Sequence, residues 1–184
     1  MKNIKIVISG AAETFHCTEN ISDLSYMVGK ILAEKEIVVL TGATTGAPYW
    51  AAMGAYKNNG FVIGISPAIN EEEHIKNFNQ PTDYHHLIFY TGLGFSLRNV
   101  VLIRSGDGVI FLCGRTGTLN EFTIGYEEQK PIGILLNSGG EEIVMRKIIE
   151  ESQKPHHNIV MDSNPKILVE KLLNLIEKEK NNDT

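Results

Sequence analysis

Short apolar runs, most of which end in glycine or serine, recur along the chain and constrain its fold more than any other feature. The first is IKIVISG at 4–10, and the later ones are IVVLTG, FVIGIS, HLIFYTG, GVIFLCG and PIGILL. Most of these runs are continuously apolar rather than alternating, which is typical of strands covered on both faces. The sequence therefore predicts the parallel strands of one sheet.

Helical patterns fill the intervals between the apolar runs. ISDLSYMVGKILAE follows the first run with apolar residues at helical spacing. The segment 67–84 lacks a clear core period and is predicted to be a loop with a helical turn over one end of the sheet. This alternation predicts an α/β fold: a single-domain, Rossmann-like, doubly wound, mainly parallel sheet with helices on both faces. Further helices are predicted at 48–58, 95–103, 118–129, 141–151 and 165–178.

Length and charge limit the kind of protein. A chain of 184 residues suits one domain, predicted at 1–178, with 179–184 as a flexible tail. The net charge of -5 and the lack of a basic block argue against a nucleic-acid partner. The chain shows no apolar run of signal-peptide or membrane-spanning length, so we expect a cytoplasmic protein with no membrane partner.

Cysteines and histidines give little sign of metal binding. Cys17 and Cys113 lack metal-ligand spacing and, in a reducing compartment, are predicted to be unpaired thiols. The histidine pairs at 85–86 and 156–157 would point to opposite faces of an extended chain, so no metal site is expected. EEEH at 71–74 is predicted to be a solvated helix face, in a loop that could act as a lid. No resident cofactor is predicted.

The turn TGATTGAP at 41–48 is the first of two candidate anion sites. In a doubly wound sheet, ligands bind outside the carboxyl ends of the strands, where backbone N–H groups and helix N-termini point outward. Gly42 and Gly46 would allow close approach there, although glycines serve simple tight turns equally well. Ser9 and Gly10 end the first strand at the same edge and are candidates for sugar or phosphate contacts.

CGRTGTLNEF at 113–122 contains the second such turn. Gly114 and Gly117 flank Arg115 and Thr116, and Thr118 leads into a helix. Bare glycine backbone at a helix N-terminus favours a phosphate group. Neither turn has the Walker ending or the GxGxxG spacing of a dinucleotide fingerprint.

Two charged residues near these turns each allow two interpretations. If Thr118 starts the helix, Glu121 lies one turn further on, where it could close a capping box with Thr118 or act in catalysis. Arg98 comes just after a strand end, where an arginine could be a charged surface residue or could bind a ligand.

The stretch 98–122 resembles the LONELY GUY family and its relatives once described as lysine decarboxylases. The family pattern is an arginine, an aspartate nine residues later, a strand, and then PGGxGTxxE. The resemblance covers about residues 4–136. The motifs TGLGFSLRN and GTLNEF are most similar to those of the molybdenum-cofactor carrier-like branch. The matching positions in this sequence are Arg98, Asp107, Gly114, Gly117, Thr118 and Glu121.

The resemblance implies a nucleotide-binding domain that forms a homodimer or a larger assembly. Hydrolytic members cleave the N-glycosidic bond of a nucleoside 5'-monophosphate, which gives free base and ribose 5-phosphate. Here the 114–118 turn would hold the phosphate, Glu121 would stabilise the oxocarbenium-like state, and Arg98 would fix the base or the carboxylate. The residues predicted to bind phosphate or nucleotide are Ser9, Gly10, Gly42, Gly46, Gly114, Arg115, Thr116, Gly117 and Thr118.

The sequence also departs from the family pattern. Cys113 stands in place of the proline, Arg115 in place of the second glycine, and Ala43 in place of a glycine in the first turn. Arg115 could add a phosphate contact or fill the space that the ligand needs. The first prediction is a nucleoside 5'-monophosphate phosphoribohydrolase with Arg98 and Glu121 as catalytic residues. The alternative is a non-enzymatic carrier or sensor of a phosphorylated pterin, the molybdenum cofactor, or of a nucleotide, with Glu121 as a helix cap.

Overall fold

Strands and helices alternate along residues 4–182, the part of the chain that the computed structural model describes. The strands are β1 (Lys5–Ser9), β2 (Val38–Thr41), β3 (Val62–Ser66), β4 (Leu87–Tyr90), β5 (Gly108–Phe111), β6 (Ile132–Leu135) and β7 (Ile159–Asp162). The helices are α1 (Ile21–Glu34), α2 (Ala47–Lys57), α3 (Glu71–Lys76), α4 (Gly94–Ser105), α5 (Thr116–Glu127), α6 (Glu142–Glu151) and α7 (Pro165–Asn182).

All seven strands form one parallel sheet in the order β4-β3-β2-β1-β5-β6-β7. Val7 in the central strand β1 lies opposite Leu40 on one side and Val109 on the other. The chain builds outward from β1 in one direction and from β5 in the other, so the strand order reverses between them. This confirms the predicted Rossmann-like α/β fold and places a crevice at the carboxyl ends of β1 and β5.

Both faces of the sheet are covered, which explains why the strands are continuously apolar. Ile6 and Ile8 pack with residues of α1, α2 and α7 on one face. Val7, between them, packs with residues of α4, α5 and α6 on the other. Successive side chains of a strand point to opposite faces, so both sets must be apolar to fill two cores.

Several boundaries differ from those predicted. Strand β7 was not predicted from the sequence; it is an edge strand whose residues are only half-buried. Helix α7 runs to Asn182 instead of ending at 178, and Lys180 forms an ion pair with Asp107. The predicted tail therefore begins too early, and its last residues, 183–184, lie outside the described part. Within residues 4–182, no helix combines the length and the apolar character needed to cross a bilayer.

The predicted solvated face at 71–74 is wrong for His74. Its side chain is buried beneath α3, where Nδ1 lies 2.8 Å from the Ser66 hydroxyl and Nε2 lies 3.0 Å from the carbonyl oxygen of Pro81. Glu71 and Glu72 remain exposed, as predicted. His74 thus fastens α3 to the carboxyl end of β3.

The prediction of two unpaired thiols is also wrong. Cys17 and Cys113 form a disulfide between the loop that follows β1 and the turn that follows β5. Their Cα atoms lie 5.7 Å apart, although 96 positions separate them in sequence. Spacing along the chain carries no information about such a pair, because only the pairing of β1 with β5 brings it together.

Candidate functional site

A cleft of about 380 Å³ opens at the carboxyl ends of β1 and β5, where the strand order reverses. Its walls come from the loop after β1, the start of α4 and the first turn of α5. Gly46 and Gly114 shape the turns without lining the cleft. The predicted site residues that line it are Ser9, Gly10, Gly42, Arg98, Arg115, Thr116, Gly117, Thr118 and Glu121.

The turn between β5 and α5 presents unpaired backbone donors at this cleft. Helix α5 begins at Thr116, and its N-cap residue, Arg115, makes no side-chain capping bond. Among residues 4–182, the amides of Thr116, Gly117 and Thr118 find no hydrogen-bond acceptor. A Cβ atom added at Gly117 would meet only open space. Free N–H groups and the positive end of the helix dipole together favour an anion at this position.

Gly114 supports this turn from behind. A Cβ atom at Gly114 would lie 2.5 Å from Cγ2 of Thr118, so no larger residue fits without moving the helix. Its carbonyl oxygen accepts a hydrogen bond from the Glu141 amide at 3.2 Å and lies 3.1 Å from Nε2 of His16. The glycine is therefore required by close packing.

The turn between β2 and α2 is filled by the protein itself. Three of its amides already have acceptors: Ala43 donates to the Thr41 hydroxyl, Thr45 to the Gln80 side chain and Ala47 to the carbonyl of Ala11. Gly46 has φ +73°, and a Cβ atom there would press on the carbonyl groups of Ala11 and Ala12. Pro48, in the first turn of α2, has no N–H to offer.

Arg98 occupies the wall between the two turns rather than the surface. The side chain is only 5% exposed, and Nη1 donates to the carbonyl oxygens of Gly42 at 2.6 Å and Ile65 at 2.8 Å. Burial lowers the pKa of the Arg98 guanidinium, while the charge of Glu121 opposes that shift. Arg98 thereby joins the ends of β2 and β3, which explains why Gly42 has no room for a side chain.

Glu121 is bonded across the cleft floor instead of capping its helix. Because α5 begins at Thr116, the capping box with Thr118 does not form, and that interpretation is wrong. The Ser9 hydroxyl donates to Oε2 of Glu121, which is 7% exposed. Burial raises the pKa of the Glu121 carboxyl, and Arg98 and Ser9 partly offset this.

The rim of the cleft carries an ion pair that the sequence did not reveal. Arg115 bonds to Glu13, both side chains are more than half exposed, and the guanidinium lies 5.7 Å from the centre of the Phe15 ring. Asn99, beside Arg98, also lines the cleft and donates to Asn120 at 2.9 Å. Asn99 could have been found because it ends the family motif TGLGFSLRN, whereas no sequence signal pointed to Glu13.

Fold and cleft together define a Rossmann-like α/β protein with a candidate anion site at the point where its strand order reverses. The family model of the SLOG cluster4 family matches residues 3–169, and the chain belongs to that family. The resemblance to the molybdenum-cofactor carrier-like branch is confirmed by this match and by the similar structures.

Three proteins are similar to this chain in sequence or in structure. An uncharacterized protein of Archaeoglobus fulgidus is 31% identical over 135 residues, which cover 73% of this chain and 82% of that protein. The molybdenum cofactor binding protein of the phototrophic bacterium Rippkaea orientalis is 28% identical, with a TM-score of 0.75 and coverage of 97% and 98%. The Moco carrier protein of Chlamydomonas reinhardtii, at 20% identity and a TM-score of 0.77 over 96% and 99%, shares the fold.

Proposed function

We propose that this protein binds a phosphorylated small molecule in the cleft and serves as a carrier of a phosphorylated pterin, the molybdenum cofactor. The observation that carries the proposal is the set of free amides at Thr116, Gly117 and Thr118. The similarity to the Rippkaea orientalis protein supports the pterin as the ligand. The volume of about 380 Å³ also suits a small molecule.

The phosphate group would sit on the first turn of α5. Three amides and the helix dipole supply the donors, and the missing side chain at Gly117 leaves space for the phosphate oxygens. Arg115 lies at the rim of the same turn and can turn from Glu13 to the phosphate for a charge-assisted contact. A helix N-terminus combined with a guanidinium is a common way to hold a phosphate in water.

The heterocycle would contact polar side chains that line the cleft, among them Ser9, Asn99 and Glu121. A pterin ring carries amide-like donors and acceptors at its edge, and carboxyl and carboxamide side chains are suitable partners for them. In this proposal Glu121 recognises the ring, and its bond from Ser9 holds the carboxyl in a fixed orientation.

Hydrolysis of a nucleoside 5'-monophosphate is the second candidate function. It is favoured by the presence of Arg98 and Glu121 in one cleft, as the family pattern implies. Against it, Arg98 uses Nη1 to bind two main-chain carbonyls, and burial raises the pKa of Glu121, which disfavours the charged form needed to stabilise an oxocarbenium ion. Carriage without turnover therefore fits these contacts better.

A charge placed at Gly117 tests where the phosphate binds. Gly117→Asp introduces a carboxylate in the first turn of α5, where the helix dipole favours a negative charge, so the melting temperature should not fall. Because the carboxylate repels a phosphate group, the affinity for molybdenum cofactor or a nucleoside monophosphate should fall about a hundredfold. Gly117→Ala is the matched control and should bind within a few-fold of wild type. Unchanged affinity in Gly117→Asp, measured by calorimetry, would exclude the first turn of α5 as the phosphate site.

A panel of nucleoside monophosphates distinguishes carrier from hydrolase. The carrier proposal expects binding without release of free base, as followed by chromatography. Base release that disappears in Glu121→Gln, at unchanged affinity, would instead establish the hydrolytic function. Base release that continues in Glu121→Gln would refute a catalytic role for the carboxylate.

We also propose that the chain forms a homodimer or a larger homo-oligomer, through a surface that includes α4 but not α2. Small residues of α2 are buried against α1, so they leave little apolar surface. Helix α4 and the edge strand β4 expose theirs, including Phe89, Leu97 and Phe95, which are 54%, 60% and 52% exposed. Light scattering should show an oligomer that Leu97→Glu dissociates; a monomeric wild type at micromolar concentration would overturn this.

The remaining assignments stay predictions from the sequence. These are the organisation as one domain, a cytoplasmic location and the lack of a nucleic-acid partner. The disulfide is unusual for a cytoplasmic protein, because persistent disulfides are uncommon in reducing compartments.

A further inference from the structure

A cluster of metal-ligating side chains lies behind the cleft, outside the residues that line it. His16 and Cys17 belong to the loop after β1, and Cys113 follows β5. Each offers one ligand atom, and the three atoms lie within 4.8 Å of one another. We propose that reduction of the disulfide converts this cluster into a site that binds one zinc ion through His16, Cys17 and Cys113.

The chemistry requires a reductant of the dithiol class. The dithiol closes to its own cyclic disulfide and gives two electrons and two protons to the sulfurs of Cys17 and Cys113, which become thiols. Zinc then replaces the two thiol protons, which pass to solvent. The product is a zinc ion bound to two thiolates and one imidazole, with a fourth position for water.

The spacing of the three residues suits a tetrahedral zinc ion. Zinc–sulfur bonds of about 2.3 Å and zinc–nitrogen bonds of about 2.0 Å bring the ligand atoms to within about 4 Å of one another. The Cα atoms of the two cysteines, 5.7 Å apart, are close enough for both sulfurs to reach one ion once they separate. In the proposed site, side-chain rotations that separate the two sulfurs bring all three ligands to one ion.

His16 already makes one contact that is common for a metal-binding histidine, and in the proposed site its Nδ1 binds the zinc ion. Its Nε2 lies 3.1 Å from the carbonyl oxygen of Gly114, so an N–H at that position donates to the backbone. A histidine that binds a metal commonly gives its other ring N–H to such a carbonyl, which fixes the ring and leaves the remaining nitrogen for the metal. Cys113 is buried, whereas His16 and Cys17 are half-buried, so a metal ion can enter from their side.

Zinc would do for the reduced protein what the disulfide does for the oxidised one. Both join the loop after β1 to the β5–α5 turn, just before the free amides of α5. The inference does not depend on the proposed carrier function, because neither the ligand residues nor the test involves the cleft.

Zinc and cobalt titrations test the site. Wild-type protein reduced with a dithiol, which is then removed without air, should bind one Zn²⁺ per chain in competition with a chromophoric chelator. Cobalt should give the thiolate-to-metal charge-transfer band. The oxidised protein should bind at least a hundredfold more weakly, and His16→Gln about tenfold more weakly after reduction.

Cys17→Ser is the matched control for the missing cross-link, since it lacks the disulfide as reduced wild type does. It should bind zinc at least a hundredfold more weakly than reduced wild type, with similar helix content by circular dichroism. Equal zinc affinity of these two proteins, or a cobalt complex without the charge-transfer band, would overturn the proposal.

Discussion

The two glycine-rich turns look alike in sequence, but their donors differ in the folded chain. At the start of α2, the amide of Ala47 is bonded to Ala11 and Pro48 has no amide hydrogen, which leaves Tyr49 as the first-turn donor without an acceptor in the described residues. At the start of α5, all three corresponding amides, 116–118, lack acceptors within residues 4–182. One turn is closed by the protein, and the other is open to a ligand.

This difference shows what a glycine in such a turn does and does not indicate. At Gly42 the missing side chain leaves space that Arg98 occupies, and at Gly46 it leaves space for the backbone of the loop after β1. At Gly117 no protein atom occupies the corresponding space. A glycine therefore predicts close approach, but only the contacts in the fold tell whether protein or ligand makes that approach.

The largest expected effect is a difference in the free energy of unfolding between glycine substitutions in the two turns. Gly46→Ala forces a side chain into a left-handed backbone at φ +73° and against the carbonyl of Ala11, so the free energy of unfolding should fall by about 3 kcal/mol or more. Gly117→Ala, in an open helical position, should change it by less than about 1 kcal/mol. Urea denaturation measures both, and equal losses would contradict the distinction between a closed and an open turn.

A smaller effect concerns the rim of the open turn and depends on the proposed phosphate site. Arg115→Ala removes a charge-assisted contact, so affinity for a phosphorylated ligand should fall about tenfold. Stability should hardly change, because the pair with Glu13 is exposed. Glu13→Ala, the partner control, frees Arg115 and should leave affinity equal or higher. Weaker binding in Glu13→Ala would show that Arg115 needs this partner in order to act.

The smallest effect is a difference in pH dependence. Burial raises the pKa of Glu121 above its ordinary 4.5, so the folded chain holds this proton more tightly than the unfolded chain. The stabilisation that follows is complete below about pH 4.5 and declines as pH rises through the folded-state pKa. Glu121→Gln lacks this titration. Relative to the variant, wild type should therefore lose stability with rising pH.

Urea denaturation at a series of pH values checks the Glu121 prediction. The difference between wild type and Glu121→Gln isolates one carboxyl, because the other titrating groups are common to both proteins. A difference that stays constant from acid to neutral pH would mean that burial does not control this proton.

The sequence predicted the sheet because both faces of most strands are covered, so long apolar runs were visible. It missed β7, where Ile159 and its neighbours are half-buried at the edge and the apolar run is short. The candidate site residues were located by glycines and charges close together in sequence. Their contacts were not, because Gln80, Ala11 and Ile65 meet the turns only through the tertiary fold. His74 shows the same limit, since its partner Ser66 lies on another element.

The disulfide also closes a covalent ring within the chain. Cys17 and Cys113 enclose β2, β3, β4 and β5, while β1, β6 and β7 lie on the segments outside the ring. A protease that cuts once within the partly exposed connection at 77–83 therefore leaves two fragments that still migrate as one species on a denaturing gel. Only a reductant separates the two fragments. A molecule that has been cut once therefore keeps them covalently linked, so that they can refold together.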